Sequence, residues 1–81
     1  MENEIRYYLK QIKAAMNGSE ETEAFKPSYI VAAVKLPTGA IELAVNTENI
    51  EEKIDYIIEA YDDNMRLKTN DSIVMQNIMI V

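Results

Sequence analysis

The sequence YIVAAVKLPTGAIELAVN, residues 29–46, predicts a β-hairpin. Both halves are apolar and rich in β-branched residues, and Pro37-Thr38-Gly39 separates them. Proline presets φ at the second position of a turn, and glycine adopts the left-handed conformation that follows. If this turn pairs Lys35 with Ile41, side chains alternate between two faces of the hairpin. One face then holds Val31, Ala33, Ile41, Leu43 and Val45, and the other holds Ile30, Ala32, Val34, Glu42 and Ala44.

Both faces of this hairpin are largely apolar, whereas a single layer of helices covers only one face of a sheet. The second face is therefore predicted to be an interaction surface.

Amphipathic helices are predicted on both sides of the hairpin. In residues 2–16 apolar side chains recur at helical spacing, and Asn17-Gly18 is a stop signal. A second helix is predicted to run to about Asp62, with Thr47 as its N-cap and glutamates in its first turn. Each helix has one apolar stripe, so each is expected to pack against the sheet along that stripe.

The connection between the first helix and the hairpin, residues 19–26, is polar and acidic and has no apolar period. We expect it to be mobile, with Phe25 tethering its end. After the second helix, residues 65–69 alternate like a half-buried strand, residues 70–72 are a turn signal, and residues 73–81 are apolar. The predicted order is α-β-β-α-β-β.

This order predicts an α+β fold, an antiparallel sheet with two helices on one face. A length of 81 residues corresponds to one domain, so residues 1–81 are predicted to form a single domain. The N-terminus lacks the features of a signal peptide, and no apolar run approaches the length of a membrane span. We therefore expect a cytoplasmic protein that does not bind membranes.

The composition argues against most chemistry. The chain has no Cys and no His, which removes thiolate nucleophiles and the commonest general base and zinc ligands. The net charge of −6 and the pI of about 4.5 argue against direct nucleic-acid binding, which needs clustered cations. With two glycines there is no phosphate-binding loop. We predict no enzymatic activity, no cofactor and no metal.

The carboxylates are concentrated between residues 48 and 63, which hold seven of the fourteen. On a helix, spacings of three and four residues would place five of them on one stripe, although like charges so spaced repel by a few tenths of a kcal/mol. This acidic stripe comprises Glu48, Glu52, Asp55, Glu59 and Asp62.

Three interpretations of the acidic stripe stay open. It is a solvated helix face, or it pairs with the basic row Arg6, Lys10 and Lys13 of the first helix, or it contacts a partner with a basic surface. Tyr56 lies beside Glu52 and Glu59, and an exposed tyrosine is common in protein interfaces. The predicted partner-binding set is therefore the acidic stripe together with Tyr56. Asp62-Asp63 could also contribute to a cation site, but no EF-hand pattern is present.

From Glu52 to Lys68, followed by the apolar end, the sequence resembles small uncharacterised accessory proteins of Gram-positive bacteriophages and prophages. The resemblance implies a short accessory protein, and many of these, including anti-defence proteins, bind a host protein. We therefore predict a non-enzymatic binding protein that modulates or inhibits a host or phage protein through the acidic stripe. That partner is expected to have a basic surface, as proteins that handle nucleic acid do. A homo-oligomeric phage structural or assembly protein, with a homodimer as one form, is the second hypothesis, and a protein that sequesters a small molecule is the third.

Overall fold

A computed structural model describes residues 3–18 and 24–81, and its elements follow the predicted order. The four strands form one antiparallel sheet in the order β2-β1-β4-β3. The α+β class and the order α-β-β-α-β-β are therefore confirmed. The elements are α1 Glu4–Asn17, β1 Ile30–Lys35, β2 Ile41–Asn46, α2 Ile50–Ala60, β3 Arg66–Leu67 and β4 Asn70–Ile80.

The hairpin of β1 and β2 has the predicted register, with Lys35 opposite Ile41. Its turn is closed by a hydrogen bond of 2.9 Å from the Gly39 amide to the Leu36 carbonyl. Gly39 has a φ of 91°, a region that side chains disfavour, so this position suits glycine. The alternation along both strands is therefore fixed by the turn, as the sequence predicts.

Both helices pack on the same face of the sheet. Leu9 of α1 and Ile54 of α2 are each 0% exposed, and they share the core with side chains of β1 and β4. The helices are antiparallel, because Lys13 contacts Asp55 while Arg6 contacts the end of α2. The buried core comprises Leu9, Ile30, Ala32, Ile50, Ile54, Ile57, Tyr61, Met65, Met75, Ile78 and Ile80.

The first helix ends at the predicted stop signal. Gly18 follows α1 with a φ of 67°, and its amide donates to the carbonyl of Ala15. Phe25 packs against the core, and its amide donates to the same carbonyl over 2.8 Å. The predicted tether at Phe25 is confirmed, whereas residues 19–23 of the predicted mobile connection lie outside the described residues.

The second helix is shorter than the sequence predicts. It begins at Ile50, after Asn49 in the left-handed conformation, so Thr47 is not its N-cap. It ends at Ala60, not at Asp62, because Tyr61 is extended. Arg6 binds carbonyls at this end, and the Asp62 carboxylate binds amides of the following turn. These contacts satisfy the polar groups that a longer helix would have paired internally.

The predicted turn at residues 70–72 is also wrong. Leu67 pairs with Asn70, so the chain reverses at residues 68–69, and β4 already begins at Asn70. β3 has only two residues, and it follows Met65, which is 0% exposed and has a φ of 60°. Burial of the Met65 side chain thus offsets an uncommon backbone conformation.

Candidate functional site

The face of the sheet turned away from both helices is called the open face here. Residues that lie directly opposite each other on antiparallel strands point to the same face of the sheet. The strand register therefore shows which residues belong to the open face. Four rows run across the strands, the first at the turn end of the hairpin. The first row is Ile41, Lys35, Val74 and Arg66, the second is Leu43, Ala33 and Asn77, the third is Val45, Val31 and Met79, and the fourth is Tyr29 and Val81.

The apolar side chains of the open face are exposed. The exposed fraction is 55% for Ile41, 66% for Leu43, 60% for Val45 and 51% for Met79. On the other face of the same strands, Ile30, Ala32 and Ile78 are buried beneath the helices. A contiguous exposed apolar patch of this kind marks an interaction site more often than scattered single side chains do.

A shallow depression of about 220 Å³ lies in the middle of the open face. Leu43 and Met79 stand on either side of it, and Val31, Ala33 and Asn77 contribute to its lining. Its floor is low because the Ala33 side chain is a single methyl group. The centre of the open face is therefore shaped to accept a protruding apolar side chain.

The charges of the open face differ from those of the whole chain. None of its members is acidic, and Lys35 and Arg66 stand together in the first row. Glu42 of β2 lies opposite Val34, on the side that carries the helices. The open face is thus formally +2 in a chain of net charge −6. The excess negative charge resides on the helix side and in the loops.

The structure divides the predicted acidic stripe. Glu48 lies before α2 and Asp62 lies after it, so neither belongs to the helix. Glu52, Asp55 and Glu59 are helical and exposed. The prediction of a continuous stripe of five carboxylates on one helix is therefore wrong. Three of the five carboxylates lie on α2.

Two of the five carboxylates are engaged within the protein. Asp55 forms a salt bridge with Lys13 of α1, and this contact raises the pKa of Lys13 above its usual value. The Asp62 carboxylate accepts hydrogen bonds from the amides of Asn64, at 2.8 Å, and Arg66, at 3.0 Å. The Arg66 and Asn64 hydrogen bonds lower the pKa of Asp62. The interpretation that the stripe pairs with the basic row holds for Asp55 and Lys13.

The remaining candidates lie just before α2 and along its length. Tyr56 is 54% exposed, and the Lys53 ammonium lies 4.8 Å from the centre of its ring. Glu48, Glu52 and Tyr56 line a shallow cleft of about 260 Å³. The structure therefore brings these three predicted site residues together, and Glu59 follows on the same helix.

The described part of the chain shows no group of three or more carboxylates placed to hold a metal ion. Within residues 3–18 and 24–81, neither helix has the length and apolarity needed to cross a membrane.

Reasoning from the sequence identified the hairpin part of the open face but missed the part that β4 contributes. Val74, Asn77 and Met79 join the open face because β4 pairs with β1. A bulge between Ala33 and Val34 also shifts the register, which leaves Gln76 between the paired residues Met75 and Asn77. No local sequence pattern predicts which strand pairs with β1 on the side away from β2.

Comparison of the chain with protein-family models, with curated proteins and with solved structures finds no match.

Proposed function

We propose that the protein is a non-enzymatic binding protein whose open face is covered by the surface of another protein chain. The observation that carries this proposal is the exposure of Ile41, Leu43, Val45 and Met79, each more than half exposed on one face of the sheet. The two helices occupy the opposite face, so nothing in the described residues shields these side chains.

Order-of-magnitude energetics support a real but modest contact. Three strands about 4.8 Å apart and roughly 20 Å long give a footprint of roughly 300–400 Å². Burying that much apolar surface contributes about 8–10 kcal/mol at about 25 cal/mol per Å². Loss of translational and rotational freedom costs about 4–15 kcal/mol. The two terms are comparable, so binding requires a partner surface that is itself apolar.

The sequence has no His, the commonest general base, and no Cys thiol, which supports a non-enzymatic role. The resolved pKa shifts also have structural causes. The salt bridge to Asp55 raises the pKa of Lys13, burial raises that of Tyr61, and turn amides lower that of Asp62. These three groups do not converge on a common cleft.

A second candidate contact is the acidic side of α2, which would bind a basic surface of a host or phage protein. The specific observation in its favour is Tyr56, exposed between Glu52 and Glu59. Asp55 and Asp62 are less available to a partner, because internal contacts engage both carboxylates. The contact would therefore depend on Glu52, Tyr56 and Glu59.

The test is affinity capture with four tagged baits, followed by mass spectrometry, from a lysate of a Gram-positive host that also expresses an untagged copy of this protein. The baits are the wild type, Leu43→Lys on the open face, Glu42→Lys as the matched control, and the double variant Glu52→Lys with Glu59→Lys. Glu42 is adjacent to Leu43 on the same edge strand but faces the other side. Circular dichroism melting establishes that every bait is folded.

Chains retained by the wild type and by Glu42→Lys but lost from Leu43→Lys are the expected result. Loss from the double variant alone would favour the acidic contact of α2 instead. If all four baits retain the same chains, neither surface is the binding site and the proposal is wrong.

A further inference from the structure

We propose that the chain covering the open face is a second copy of this protein, packed face to face in a two-fold dimer whose facing strands run in opposite directions. This inference rests on the proposed function and names its partner. It draws on the charge distribution of the open face, on the position of its two cations and on its central depression.

The charge distribution permits self-association despite a net charge of −6. The two surfaces that would meet contain no acidic side chain, whereas the helices, with their acidic side chains, would lie on the two outer sides of the dimer. Packed sheets lie about 10 Å apart, and a helix layer adds about 10 Å on each side. The acidic layers are thus held well apart, beyond a Debye length at physiological salt.

The positions of Lys35 and Arg66 select between the two two-fold arrangements that keep the facing strands aligned. An axis parallel to the strands would stack the first row on the first row and gather four cations at one end. An axis across the strands stacks the first row on the fourth, so two cations lie at each end. Like charges in contact are unfavourable in an interface. The second arrangement is therefore the one we propose.

The same arrangement fits the shape of the open face. An axis across the strands stacks the second row on the third, so Val31 of one copy lies over Ala33 of the other. Ala33 belongs to the depression between Leu43 and Met79, and a valine side chain would occupy that space. Aligned sheets pack with their strands about 30° apart, an angle that the natural twist of two sheets produces.

Pairing through the free edge of β2 is the obvious alternative, because β2 is an edge strand. That pairing would join two sheets side by side and would leave both open faces exposed. Edge pairing therefore does not cover the exposed apolar side chains of the open face. A footprint of roughly 300–400 Å² on each copy buries roughly 600–800 Å² in total, below the roughly 1,200 Å² of a standard specific interface, so we expect a weak dimer that forms only at high protein concentration.

Sedimentation equilibrium of the purified chain tests the dimer. The wild type and Glu42→Lys are expected to shift from monomer to dimer as the protein concentration rises. Leu43→Lys is expected to remain monomeric at protein concentrations at least tenfold higher than those at which the wild type dimerises. A purely monomeric wild type overturns this inference. If capture from lysate still depends on Leu43 in that case, the proposed function stands with a different partner.

Crosslinking tests the arrangement, and the chain is suited to it because it has no native cysteine. Single-cysteine variants are mixed in pairs and treated with a short bismaleimide. The proposed dimer should link Lys35→Cys to Tyr29→Cys, whereas an axis along the strands would link Lys35→Cys to Val74→Cys. Efficient linking of the second pair, or of neither in a sample that sediments as a dimer, overturns the proposed packing.

Discussion

The guanidinium of Arg6 in α1 donates a hydrogen bond of 2.9 Å to the carbonyl oxygen of Tyr61, immediately after the end of α2. It also donates to the carbonyl of Ile58 at 3.2 Å, and its side chain is only 14% exposed. Carbonyls at a helix C-terminus lack internal partners and carry partial negative charge, so a cation is favourable there. A side chain of the first helix thereby caps the C-terminal end of the second helix.

Replacing Arg6 with alanine should therefore destabilise the protein. We expect Arg6→Ala to lower the free energy of unfolding by about 2 kcal/mol, the usual scale for hydrogen bonds from a charged group. Arg6→Lys should lower the free energy of unfolding by less, because lysine keeps the positive charge although it lacks the several N–H donors of the guanidinium. Urea denaturation measures both losses. Lys68→Ala, at an exposed position, is the control, and an equal loss there would contradict this role for Arg6.

The entry to α2 depends on Asn49, which has a φ of 53° and makes no side-chain capping bond. The backbone conformation is therefore the reason for asparagine at this position. Asn49→Ala should cost about 1–2 kcal/mol, because an ordinary side chain is strained there. Asn49→Gly should be close to neutral. Thermal melting of the two variants decides the matter, and equal losses would show that the Asn49 side chain acts in another way.

The turn after α2 should be sensitive to acid. Amides of Arg66 and Asn64 lower the pKa of Asp62 below its ordinary value of 3.8. Its stabilising contribution is therefore complete above that value and is lost as the pH falls through the lower, folded-state pKa. In Asp62→Asn the side-chain oxygen still accepts hydrogen bonds, so acid melting curves should show less loss of stability. An acid transition identical to that of the wild type would contradict this assignment.

Tyr61 should make the protein sensitive to alkali. Burial raises the pKa of its hydroxyl above 10.0, with a smaller contribution from Tyr56. The stabilising effect is complete below the unfolded pKa and is lost as the pH rises through the folded one, because the unfolded chain ionises first. Tyr61→Phe should melt like the wild type at neutral pH and resist alkali better. Tyr7→Phe, at an exposed position, serves as the control.

The sequence predicted the hairpin well for a local reason. Pro37 and Gly39 fix the turn, and the strict period of two in Ile41, Leu43 and Val45 then leaves one register that separates the faces. Every contact needed to specify this unit lies within residues 29–46. The two faces were therefore predictable before the fold was known, including the face that the helices leave exposed.

The C-terminal end of the second helix was predicted less well because a distant residue binds there. The helical spacing of carboxylates continues through Asp62, yet the helix ends at Ala60. Arg6 is more than fifty residues away in sequence, and its contact with the Tyr61 carbonyl is not visible in the local pattern. The acidic stripe was overextended at Asp62 for this reason, whereas Glu48 falls outside the helix because Asn49 adopts the left-handed conformation.

The strand order has a consequence for the protein during its synthesis on the ribosome. β4 lies in the interior of the sheet, beside β1, although it is the last strand to be translated. Until it emerges, β1 and β2 form a two-stranded hairpin, which is marginally stable in water and apolar on both faces. At about 5–20 residues per second this interval lasts seconds. During it we expect chaperones that recognise exposed apolar strands to bind the nascent hairpin.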